Sequence, residues 1–119
     1  MNNTISLKEI AHARSGDKGT GANVGVIAYT AAGYAFLEQE LTSERLTKHL
    51  HELHPQGVQR YSLPGIRAYN FVLPSILDGG ASRSLRIDSQ GKVLALAVLE
   101  MQLPRPENLA QMQPKSHQS

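Results

Sequence analysis

Cysteine is absent from the 119 residues, which excludes disulfides, thiolate metal sites and thiol nucleophiles and agrees with a reducing compartment. An excess of one charge is missing too. Twelve Lys and Arg stand against 10 Asp and Glu, a balance too even for nucleic acid as a general partner, so any anion has to be recognised locally. Aromatics are few, four Tyr and two Phe, and no pair of them alternates on an expected strand, which argues against base stacking on a sheet. No apolar run approaches a membrane span. The segment Met1-Asn2-Asn3-Thr4-Ile5-Ser6 shows neither the basic nor the apolar region of a secretory leader. The expectation is a cytoplasmic chain with no nucleic-acid partner, no membrane partner and no metal or other cofactor.

What is present fits one core, which at this length stays folded without metal or disulfide. Ile5 to Ala13 alternates well enough for a strand that ends where Arg14-Ser15-Gly16-Asp17-Lys18-Gly19 begins. Asn23 to Thr30 is β-branched and apolar on both faces, as inner strands are. Gly33 opens a helical stretch with Tyr34, Leu37 and Leu41 at helical spacing; Thr42 is the N-cap of a second helix, with Glu44 in its first turn and Leu46, Leu50 and Leu53 as its buried stripe. His54-Pro55-Gln56-Gly57 stops it, and Val58 to Leu63 forms a strand before Pro64-Gly65. Ile66 to Leu77 suits a helix except for Pro74, and therefore reads as two short pieces meeting there. Ser82 to Asp88 alternates, Ser89-Gln90-Gly91 turns, and Lys92 to Leu103 follows as a second hairpin arm covered on both sides. The domain is expected over residues 1–103, with a loose polar tail over 104–119. Such a mixture predicts an α+β sandwich, a mainly antiparallel sheet with helices on one face, and a ferredoxin-like arrangement fits.

The chemistry concentrates between His12 and Asn23. Gly16, Gly19 and Gly21 permit close approach of the backbone and an anion-binding nest, to which Arg14 and Lys18 add charge. The spacing is neither that of a P-loop nor that of a dinucleotide fingerprint. A plain turn between two strands accounts for the same residues. His12, Ser15 and Asp17 lie too close in one segment for a catalytic triad; the sober role of His12 is acid, base or hydrogen-bond donor, and Asp17 neutralises Lys18. Catalytic candidates are thus His12, Asp17 and Lys18, and ligand-binding candidates Arg14, Ser15, Gly16, Lys18, Gly19 and Asn23.

A second polar row adds Ser84 and Arg86, since period-two geometry places Ser82, Ser84, Arg86 and Asp88 on one face. A solvated outer face explains that row equally. The two groups are expected to converge, with Asp17 and Asp88 between Arg14, Lys18, Arg83 and Arg86. His49, His51 and His54 lack a carboxylate at ligand spacing and read as a wet helix surface.

Eight linked residues, His12-Ala13-Arg14-Ser15-Gly16-Asp17-Lys18-Gly19, followed by Ala22 to Ala28, Arg60-Tyr61, Asn70-Phe71-Val72-Leu73, Gly79-Gly80 and Ser84 to Asp88, resemble the small domain found at the C-terminus of acyclic-terpene-utilisation (AtuA-type) proteins. The resemblance spans about His12 to Met101. It implies a ferredoxin-like domain in free-standing form, a large AtuA-type subunit on another polypeptide, and a setting in terpenoid and branched-acid catabolism with acyl-CoA or carboxylate ligands. It assigns no catalytic residue. Two functions follow as expectations: a small subunit contributing to a shared site, or a structural or oligomerising module. A homo-oligomer is expected in either case, since edge strands of a small sheet need cover.

Overall fold

The structure, a computed structural model, describes residues 3–18, 21–74, 76 and 92–114. In chain order it holds β1 (Thr4–Ser6), a 3-10 turn at Leu7–Glu9, and a hairpin of β2 (Ala11–Lys18) and β3 (Gly21–Ala28). Helices α1 (Ala31–Glu40) and α2 (Ser43–His49) follow, then β4 (Gln59–Leu63) and β5 (Ala68–Leu73), and finally α3 (Lys92–Leu99) and β6 (Gln102–Pro104).

Four strands form one antiparallel sheet in the order β2-β3-β5-β4. Because β5 lies between β3 and β4, those two run parallel and the α1–α2 pair forms the crossover of a split β-α-β unit. The expected α+β, ferredoxin-like arrangement is what the chain adopts. Strands β1 and β6 pair separately, with Ile5 opposite Leu103.

Period-two alternation divides the residues of the sheet between its faces. Val24 and Val26 of β3 and Tyr69, Phe71 and Leu73 of β5 point inward, where they form one buried cluster with Leu37 of α1, Leu46 of α2 and Leu94 and Val98 of α3. The helices therefore lie on a single face. Thr30 and Thr42 cap α1 and α2, their hydroxyl oxygens accepting from the Gly33 and Arg45 amides at 2.9 and 3.0 Å. Helix α1 starts at Ala31, ahead of the expected Gly33. Gly33 instead marks where the helix touches the sheet, since a Cβ there would sit 3.7 Å from both the Ala28 Cβ and the Ile10 carbonyl oxygen.

Arg60 and Tyr69 fasten that layer. Arg60 Nη1 donates to the Leu41 and Glu38 carbonyl oxygens at 2.7 and 3.2 Å, groups that a helix C-terminus leaves without intrahelical partners. Its guanidinium carbon stands 4.8 Å from the Tyr69 ring centroid, and Tyr69 stacks on Tyr34 at 4.5 Å. The Tyr69 hydroxyl lies 2.8 Å from the Tyr34 carbonyl oxygen and 3.0 Å from Glu38 Oε1, its one proton shared between two acceptors. Burial first, then the bond to Glu38, raises its pKa above the usual tyrosine value.

Three expectations are corrected. The strand expected over Ile5 to Ala13 is broken by the 3-10 turn at Leu7–Glu9, and it does not end at Arg14: its second piece, β2, continues through Lys18, paired with Gly21, so most of the anticipated loop is strand. Lys92 to Leu103 is not one strand but α3 followed by β6. Leu94, Ala95 and Val98 are buried while Leu96 is exposed, a helical pattern that the Leu and Ala content favours; the expected hairpin therefore lacks its second arm. Beyond Pro104, where composition suggests a loose tail, a 3-10 turn at Leu109–Gln111 returns Leu109 and Met112 to the core. Met112→Ala is expected to cost about 2 kcal/mol or more in urea unfolding, whereas a loose tail would leave stability within about 0.5 kcal/mol.

Candidate functional site

Opposite the helices, the outward face of the sheet carries no helix among the described residues. Register arranges its residues in cross-strand rows: His12, Ile27, Ala68 and Leu63; then Arg14, Gly25, Asn70 and Tyr61; then Gly16, Asn23, Val72 and Gln59. His12, Arg14, Asn23, Tyr61 and Leu63 are exposed, whereas the inward Val24, Val26, Tyr69, Phe71 and Leu73 of the two central strands are buried. No outward position of the four strands holds Asp or Glu.

The middle of this face is polar and flat. Asn23 Nδ2 donates to Asn70 Oδ1 at 3.1 Å. Gly16 is opposite Asn23 and Gly25 opposite Asn70, so neither amide is crowded by a direct cross-strand side chain on that flank. A Cβ at Gly16 would come within 3.3 Å of Asn23 Oδ1. Beside the pair opens a shallow cavity of about 440 Å³, lined by Gly21, Ala22, Asn23, Asn70, Val72, Leu73 and Pro74. The amide–amide bond uses neither Asn23 Oδ1 nor Asn70 Nδ2, which leaves one acceptor and one donor group on a face that also carries Arg14, in the cross-strand row of Asn70. That set suits a carboxylate, a phosphate or an amide.

From Tyr61 on the β4 edge toward the end of the sheet beyond His12 the face turns apolar. Tyr29, Tyr61, Leu63 and Ile66 are 37, 50, 43 and 62% exposed. The His12 ring lies 5.4 Å from that of Tyr29, and Arg67 Nη1 reaches the Tyr29 carbonyl oxygen at 3.4 Å.

Of the residues expected from sequence, His12, Arg14, Gly16 and Asn23 come together on this face. Ser15 belongs to the inward row, opposite Val24, and is half-buried. Asp17 and Lys18 stand opposite Ala22 and Gly21; their side chains, Gly19, and the row containing Ser82, Arg83, Ser84, Arg86 and Asp88 lie outside the described residues, and the expected convergence of the two groups lies there with them. His49 Nε2–H donates to the Ala97 carbonyl at 2.7 Å and His51 Nδ1–H to that of Lys48 at 3.1 Å. Among the described residues no three His, Cys, Asp or Glu side chains are grouped to hold a metal. Asn70 was the residue missed: a carboxamide in the middle of the apolar Ala68–Leu73 strand, at an outward position, was the signal that marked it.

A split β-α-β sheet with its helices on one face defines a ferredoxin-like α+β domain, here with a polar centre on the other face that holds no carboxylate among the described residues. The chain belongs to the AtuA ferredoxin-like domain family, whose model matches residues 5–104. No curated protein and no solved structure matches it.

Gly16→Ala is expected to push the Asn23 carboxamide aside and shift its side-chain amide resonances in an NMR spectrum, while Gly25→Ala, whose Cβ would lie 4.0 Å from Asn70 Oδ1, leaves those of Asn70 in place. Identical spectra for both variants would remove the close packing between Gly16 and Asn23.

Proposed function

We propose that the chain is the small, non-autonomous component of an AtuA-type enzyme acting on acyl-CoA or carboxylate substrates in terpenoid or branched-acid catabolism, and that its open sheet face supplies one wall of the substrate site. The observation that carries this reading is the Asn23–Asn70 amide pair, bare beside Gly16 and Gly25 and adjacent to Arg14. Amide donors and a guanidinium recognise a carboxylate, a thioester carbonyl or a phosphate through hydrogen bonds and charge together. A cavity open along a sheet face encloses a small ligand poorly, since ligand sites usually bury most of the ligand's surface; a second wall from a large AtuA-type chain completes the enclosure. His12, at the apolar end of the same face, is the acid–base candidate of such a shared site.

The test is turnover and binding with a panel of acyl-CoA thioesters and their free acids, using this chain alone, the large AtuA-type chain alone, and the two mixed. Activity is expected only from the mixture. Arg14→Ala and Asn70→Ala each weaken substrate affinity by about tenfold, or roughly 1.4 kcal/mol, with melting temperatures unchanged. Robust turnover by the isolated chain, or a mixture indifferent to both substitutions, contradicts the proposal.

A further inference from the structure

We infer that the apolar end of the open face, formed by Tyr29, Tyr61, Leu63 and Ile66, is the docking surface for a different polypeptide whose matching patch is apolar at the centre and carboxylate-bearing at the rim. The inference rests on the accessory-component reading above and adds where the partner binds and what chemistry it presents.

These four residues are all but one of the large apolar side chains left exposed among the described residues; the other, Leu96, is on α3. They are gathered by the fold rather than scattered. Leu63 and Tyr61 stand on β4, Ile66 in the turn from β4 to β5, and Tyr29 just after β3, where the Ala28 amide donates to the Arg67 carbonyl at 2.9 Å. Clustered exposed apolar side chains of this kind mark contact surfaces, whereas single ones need no explanation. Two tyrosines suit such a surface, since they bury large area at small entropic cost.

Charge selects the occupant. The rim holds His12 and Arg67, with Arg14 across the sheet in the row of Tyr61, and no outward strand position carries a carboxylate. Arg67 sits at φ 56, in the left-handed region, where glycine is at ease and a side chain costs of the order of 1 kcal/mol. A cation is thus kept beside the patch at a position that strain alone would give to glycine. A second copy of this chain is the poorer occupant: a two-fold interface repeats one patch against itself, and here it would bring Arg14 and Arg67 toward their own copies with no carboxylate at an outward strand position among the described residues to offset them. A partner with acidic residues around an apolar centre satisfies both halves of the surface.

Calorimetry of the full chain with the large AtuA-type chain tests this, with light scattering of this chain alone. Leu63→Asp and Arg67→Glu are each expected to weaken the complex by about tenfold or more, and wild-type affinity to fall as salt rises from about 0.05 to about 0.5 M. Gln39→Glu, exposed on α1, leaves it unchanged, and melting curves establish that each variant is folded. Undiminished binding by both face variants places the docking elsewhere and overturns this inference while the accessory-component reading stands. A chain that is dimeric by itself and becomes monomeric on Leu63→Asp overturns it in favour of a second copy. Absence of any complex with wild type removes the large chain as partner, and the accessory-component reading with it.

Discussion

The contact of Tyr69 and Arg60 with α1 decides which side of the sheet is covered. Tyr69 projects inward from the second central strand, stacks on Tyr34 and shares its hydroxyl proton between the Tyr34 carbonyl and Glu38. Arg60, one strand over and opposite Phe71 in the register, closes the same helix at its other end by accepting the role of C-terminal cap. Its second nitrogen, Nη2, stands 3.5 Å from Glu38 Oε2, but that ion pair is half-exposed and contributes little; the bonds to carbonyl oxygens and the cover over the Tyr69 ring matter more. With α1 fixed in this way, Leu37 and the Leu46 of the next helix complete the core over Val24, Val26 and Phe71.

Everything distinctive about the other face follows from its release from packing. Inward positions need volume, and the sequence supplies Val, Leu, Tyr and Phe there. Outward positions at the same strands hold Gly16, Gly25, Asn23 and Asn70, residues that contribute little to a sheet's stability. Glycine in a strand interior weakens it, so two of them opposite two carboxamides make sense where something else must approach the backbone closely. The apolar end is the mirror case, with Leu63 and Ile66 exposed although the core could have used such side chains. One face thus holds the fold, and the other carries polar and exposed apolar residues that the core does not use.

Much of this was legible in the residues. The Thr42 cap, the Leu46 and Leu50 stripe and the inner strand from Asn23 all stand where pattern and capping chemistry put them, because those signals are local. The hairpin was half read: the polar run from Arg14 looked like a loop, since Gly, Ser, Asp and Lys are turn residues in isolation, yet pairing with the β-branched β3 extends β2 through it. The Lys92 to Leu99 helix was misread because a run apolar on both faces carries no period, and only its Leu and Ala content separates a buried helix from a buried strand. Leu109 and Met112 were lost among prolines and glutamines, two anchors being too few to show against that composition. At the site, His12, Arg14, Gly16 and Asn23 were singled out from sequence; Asn70 was not, because its partner Asn23 is 47 positions away and only the β3–β5 register brings them together.

The division between a packing face and a contact face is tested most directly by the urea unfolding of Leu63→Ser. Leu63 is 43% exposed on β4, at an outward position opposite Ala68. If the outward apolar residues serve contact and not the fold, the variant unfolds within about 0.5 kcal/mol of wild type. A loss of about 2 kcal/mol or more, the cost of truncating a core leucine, would show that Leu63 packs within this chain and would contradict the account.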